Sequence, residues 1–146
     1  MRLSFLAVAG AALLAGCGGG ADAPTATGAW IRLPAVPGRP AAAYVAIRGG
    51  DQDVRLTSLR IPAARLVELH RTSSAGGVMS MAPVDAIDVP AGATVALSPG
   101  GDHAMLFDLD PALKAGGTTR VTLMFDKAPP IELDAKLAAP GTAGPP

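Results

Sequence analysis

One cysteine, five aromatic residues and no net charge exclude several kinds of chemistry in this 146-residue chain. Cys17 is the only thiol, which rules out an internal disulfide and every cysteine-based zinc site, because both need at least two thiolates from one chain. Twelve Lys and Arg balance twelve Asp and Glu, so no basic excess exists to neutralise a phosphate backbone and nucleic acid is not an expected partner. Charged residues are scarce at 16% and hydrophobic residues reach 49%, a composition too apolar for intrinsic disorder. Long helices are disfavoured as well, since 18 Gly and 14 Pro punctuate the chain throughout. The length suits one domain.

Residues 1–16 carry Arg2, an apolar run through Leu3, Phe5, Leu6, Val8, Leu13 and Leu14, and small residues before Cys17. This is the pattern of an export signal, too short to span a bilayer. Leu14-Ala15-Gly16-Cys17 resembles a bacterial lipobox, in which the chain is cut before the Cys and the thiol is acylated. Cys17 is therefore the expected lipidation site, and the protein is expected in the cell envelope, facing the periplasm or the exterior. The alternative is an ordinary secretory leader with an incidental thiol. Residues 17–28 hold no large apolar side chain and predict a flexible tether. Residues 139–146 carry three prolines and predict a disordered tail, which leaves 29–138 as the folded domain.

Within that domain, short segments rich in β-branched residues alternate with Gly, Pro and Asp clusters at roughly ten-residue intervals, the spacing of an all-β sandwich or barrel. Strands are expected near 30–33, 42–48, 54–61, 66–71, 78–81, 84–89, 94–97, 103–109, 119–126 and 131–137. Val121, Leu123 and Phe125 should share one buried face, as should Val67 and Leu69. Residues 111–117 form a connection with room for one helical turn.

Both histidines and three methionines fall between positions 70 and 105. Ten residues separate His70 from Met81, twenty-one separate Met81 from His103, and one separates His103 from Met105. His103 and Met105 point to the same face of a strand, as do Met79 and Met81, and Gly76-Gly77 can turn the Met strand back beside the one carrying His70. Thioether is a soft donor and imidazole a borderline one, so a two-His, two-Met set suits Cu(I) far better than zinc or magnesium. Taken singly, each residue has a plainer explanation, as core filler or surface histidine. The joint spacing is what points to a metal.

That spacing resembles the PCuAC-type periplasmic copper chaperones, whose ligand pattern is His, ten residues, Met, twenty-one residues, His, one residue, Met. The resemblance extends to Ala29-Trp30, Val67-Glu68-Leu69-His70, Gly77-Val78-Met79-Ser80-Met81, Pro99-Gly100-Gly101-Asp102-His103-Ala104-Met105-Leu106 and Leu113-Lys114-Ala115-Gly116. It implies a cupredoxin-like Greek-key β-sandwich or barrel, with His70, Met81, His103 and Met105 as Cu(I) ligands. It further implies delivery to a copper-receiving membrane protein or its assembly factor, toward the binuclear copper centre of cytochrome c oxidase. Many members carry a Met soon after the first His, whereas Arg71, Thr72, Ser73 and Ser74 follow it here, so Met79 is the auxiliary candidate. The tail has no His or Met, and a second copper site is not expected.

Other functions fit less well. A blue-copper carrier needs a thiolate beside two imidazoles, and Cys17 lies outside the domain. No Gly-x-Ser-x-Gly elbow or comparable nucleophile motif appears, so the protein is not expected to be an enzyme. The remaining rival is a structural lipoprotein that docks another envelope protein and has no metal role.

Overall fold

The computed structural model describes residues 22–146; Cys17, the leader and most of the tether's Gly-rich part lie outside them. Ten strands follow in order: β1 Thr25–Arg32, β2 Ala41–Arg48, β3 Val54–Arg60, β4 Ala64–Ala75, β5 Val78–Pro83, β6 Ile87–Val89, β7 Thr94–Leu97, β8 His103–Leu109, β9 Thr118–Phe125 and β10 Ile131–Ala138. No helix occurs among the described residues, and residues 111–117 make tight turns instead of the helical turn considered above. The strands hydrogen-bond in the order β5-β4-β8-β2-β1-β10-β9-β3-β6, with β7 paired to β2 off that path. The path is open, with β5 and β6 at its ends, which favours a sandwich over a closed barrel.

One core holds this sheet together. Every strand except β5 contributes to it, including Ile31, Ile47, Leu56, Ile87, Leu106, Leu123 and Leu137. Val121 and Leu123 are buried with Phe125 packed partly against them, and Leu69 is buried with Val67 beside it, as the alternation predicts. β2 departs from alternation, because its Ala-Ala-Ala-Tyr-Val-Ala-Ile run is covered on both faces. Ala41, Ala43, Val45 and Ile47 enter the main core, while Tyr44 and Ala42 join Trp30 and Ala138 in a second cluster on the other face.

β1 and β4 extend furthest beyond their expected bounds, while β6 begins at Ile87 and not at residue 84. β1 begins at Thr25, so residues 25–28 are strand and not tether. Gly28, at φ 65°, lies where the β1–β2 register shifts between Thr27 and Trp30. A glycine in a bulge looks like linker in sequence yet sits inside a ladder. Asp22 is also held: its carbonyl accepts from Asp51 N at 2.9 Å, and its own N–H donates to Asp51 Oδ2 at 2.9 Å. A Cβ on Gly50 would overlap the Asp22 carbonyl oxygen. Gly50→Ala is therefore expected to destabilise the domain by about 1–3 kcal/mol; a urea midpoint unchanged from wild type would contradict this close approach.

β4 runs on to Ala75, because Thr72, Ser73 and Ser74 pair with Met81, Ser80 and Met79. Those residues bury little, so hydrophobic patterning could not reveal them. Backbone pairing and a Gly76-Gly77 turn at φ 59° and 79° hold this hairpin, as the two glycines suggest. After Ala138 the chain has no strand; it turns at Ala139–Thr142, where Thr142 Oγ1 donates to the Ala139 carbonyl at 2.7 Å.

Candidate metal centre

The ladder between β4 and β8 places His70 directly opposite His103, and Glu68 opposite Met105. On the other side of β4, Met81 stands opposite Thr72 and Met79 opposite Ser74. Residues facing each other across a ladder share a face, as do residues two apart on one strand. His70, Met81, His103 and Met105 therefore all lie on one face of the β5-β4-β8 wing, together with Glu68 and Met79. Leu69, Ala104 and Leu106 occupy the reverse face, in the main core. The two imidazole centroids are 5.9 Å apart. Burial is graded across the face: His103 is 6% exposed, Met105 is half-buried, and Met81 and Met79 are 60% and 61% exposed.

Hydrogen bonds set the state of each imidazole. His103 Nδ1 lies 2.9 Å from the Gly101 carbonyl, which can only accept, so Nδ1 donates and Nε2 carries the lone pair. His70 Nε2 lies 3.1 Å from Glu68 Oε2, so in the neutral ring Nε2 donates and the lone pair falls on Nδ1. His70 Nδ1 is buried and has no partner in the structure. Buried polar atoms are rarely left without a partner. Each ring thus offers one free lone pair on a face that also carries thioethers, a donor set matched to a soft monovalent cation.

Two supports hold the histidines in place. Behind the pair, the residues next to them in sequence form a fork: Arg71 Nε and Nη2 donate to Asp102 Oδ1 and Oδ2 at 2.8 and 2.9 Å. The fork ties β4 to the loop whose Gly101 carbonyl accepts from both His103 Nδ1 and Thr72 N. It holds the Arg71 guanidinium above its ordinary value, first through the hydrogen bond and then through the charge of Asp102. Beside His103 stands Tyr44, with ring centroids 6.5 Å apart and Trp30 at 4.5 Å on the far side. Arg32 Nη2 donates to Tyr44 Oη at 2.6 Å, and Arg32 Nη1 donates to the Thr142 carbonyl at 3.3 Å.

Tyr44, Arg71 and Asp102 are not among the site residues expected from the sequence. Tyr44 had one available signal, as the sole Tyr of a chain with 3% aromatics set in a run of alanines. The Arg71–Asp102 fork had none, because it depends on the register between two strands far apart in sequence. A concavity of about 580 Å³ lies elsewhere, between the β1–β2 and β8–β9 connections, and includes none of these residues.

Burial pushes the Tyr44 phenol above its ordinary value of 10.0, with the Arg32 charge pulling the other way. The folded state therefore favours the neutral phenol, so its contribution to stability is complete below about pH 10 and declines as the pH rises past that value. Phenolate absorbance reports this residue alone, since it is the only Tyr. Its ionisation is expected at higher pH in the folded chain than in urea. Coincident titrations in the two states would contradict the burial argument.

The fold and this face define a cupredoxin-like β-domain of the PCuAC type. The chain belongs to the LpqE-like lipoprotein family, whose model matches residues 25–137. A relative from Leifsonia xyli subsp. xyli, named as lipoprotein Lxx21020, is 33% identical over 106 residues; the match covers 72% of this chain and 63% of that relative's length. Among solved structures, the copper-bound PCuAC domain from PmoF2 is 26% identical and superposes with a TM-score of 0.68, covering 83% of this chain and 97% of that one. The Cu(I) form of DR1885 from Deinococcus radiodurans is 29% identical with a TM-score of 0.61, covering 81% of this chain and 78% of that one.

Proposed function

We propose that the protein is an extracytoplasmic Cu(I) metallochaperone that holds one ion through His70, Met81, His103 and Met105 and passes it on. The observation that carries this reading is the β4–β8 register, which sets His70 against His103 on the same face as the two methionines. The copper in the names of the PmoF2 and DR1885 structures supports it. Copper is cargo here, so the protein supplies donors and no catalytic step. Partly exposed thioethers suit a carrier, because they bind the soft ion while leaving it open to a competing donor. The receiver is a membrane protein or its assembly factor, and the binuclear copper centre of cytochrome c oxidase is the proposed destination. An anaerobic competition titration against bicinchoninate tests the reading. One Cu(I) retained per chain is expected, and failure to compete would favour a metal-free docking lipoprotein.

A lipid on Cys17 would explain how the carrier stays near its receiver. Only residues 18–21 separate Cys17 from Asp22, so at about 3.6 Å per residue the anchor lies within about 18 Å of the start of the domain. Such confinement raises the effective concentration at a partner on the same membrane without altering the metal site. A Cys17→Ala chain exported through an ordinary leader is expected to bind Cu(I) with unchanged affinity but to load a membrane-bound acceptor less well in copper-poor cells. Equal loading at matched abundance would remove the role of the anchor.

A further inference from the structure

The outer face of the β5-β4-β8 wing carries soft donors in successive rows. Met105 opposes Glu68 and His103 opposes His70; Met81 then opposes Thr72 and Met79 opposes Ser74 toward the hairpin turn. Rows on one face are spaced by two residues, about 6.8 Å. Met79 thus lies one row beyond the proposed four-residue set. It is 61% exposed on the end strand of the sheet path, and β5 contributes nothing to the core. Packing gives no reason for a thioether at that position. Its same-face neighbours, Ser74 and Thr72, offer only hard oxygen, so among the described residues Met79 is the sole soft donor on this face beyond Met81 toward the hairpin turn. Of the four methionines among the described residues, the remaining one, Met124, is on β9, far along the sheet order.

An ion bound between the two imidazoles leaves by exchanging donors one at a time, because releasing bare Cu(I) into water gives up every bond at once. A flexible thioether just outside the set provides the next donor. We propose that Met79 is the exchange ligand of this site, through whose sulfur Cu(I) enters and leaves the four-residue set. In the outward step the Cu–S bond to Met79 forms as the bond to Met105, on the opposite side of the histidine row, breaks. The ion remains Cu(I), no proton moves, and an acceptor's soft donor then replaces the remaining ligands. This rests on the copper reading above and deepens it. It separates affinity, which belongs to the four ligands, from transfer rate, which depends on a fifth residue.

The test compares wild type, Met79→Leu and Met79→Ala, each loaded with Cu(I) without oxygen and mixed rapidly with excess bathocuproine disulfonate. Leucine keeps the apolar shape and removes only the sulfur. Both variants are expected to release Cu(I) about tenfold more slowly than wild type, with equilibrium affinity within about twofold of wild type. Wild-type rates in Met79→Leu with slow release only in Met79→Ala would assign Met79 to surface shape and overturn the proposal. A loss of affinity in Met79→Leu matching the loss of rate would also overturn it, by making Met79 an equilibrium ligand. Failure of wild type to retain Cu(I) at all would remove the copper reading itself, and this proposal with it.

Discussion

Replacing His70 and His103 together with alanine is expected to lower Cu(I) affinity by about a hundredfold or more, equivalent to roughly 2.7 kcal/mol. The two single variants should differ in stability. His103 donates to the Gly101 carbonyl and stands beside Tyr44, so His103→Ala gives up a part-buried hydrogen bond and is expected to cost about 1 kcal/mol of folding stability. His70 carries a buried nitrogen with no partner. Truncating it removes that uncompensated group along with the Nε2–Glu68 hydrogen bond, two opposing effects, so His70→Ala should cost the copper-free domain less than His103→Ala while weakening copper binding. A residue whose removal costs the fold little and the ligand much is retained for the ligand. Chelator competition and urea unfolding of the same preparations check both halves. Undiminished affinity in the double variant would rule out the imidazoles as ligands.

The second large effect is expected at Tyr44. This side chain is 3% exposed, packs 4.5 Å from Trp30, and accepts a 2.6 Å hydrogen bond from Arg32. Tyr44→Ala should cost about 3–5 kcal/mol, the range for emptying a buried aromatic site. The cavity would open beside His103, and Arg32 would lose its acceptor, so Cu(I) affinity should fall along with stability. Tyr44→Phe separates these contributions. It keeps the ring and loses only the hydroxyl, so it should cost about 1–2 kcal/mol and retain nearly all copper affinity. Trp30 fluorescence during urea unfolding follows the change, since it is the single Trp and touches the altered position. If Tyr44→Ala unfolded at the wild-type midpoint, the second cluster would have no part in supporting the site.

Strand positions were legible because this chain separates its strands with Gly and Pro and buries alternate residues in most of them. Residues 103–109, where a charged loop meets an apolar run, coincide with β8. The two extended strands were illegible for separate reasons. β1 hides behind Gly28, which has the composition of a linker and the conformation of a bulge. The outer part of β4 is held by backbone pairing and carries exposed Thr and Ser, so no burial pattern announces it. At the site, residue types and intervals pointed to His70, Met81, His103 and Met105, and the ladder sets them on one face. The neighbouring contacts of Glu68, Arg71, Asp102 and Tyr44 depend on cross-strand register. Register emerges only when hairpins and distant strands are brought together.

X-ray absorption on the Cu(I)-loaded full chain tests the central claim most directly, because it reports both oxidation state and the identity of the donor atoms. Two nitrogen donors from imidazole rings and two sulfur donors are expected, with one sulfur lost in Met81→Ala and one nitrogen lost in His103→Ala. A spectrum with only nitrogen and oxygen around copper, unchanged by either substitution, would contradict the claim that these strands build a thioether–imidazole copper site.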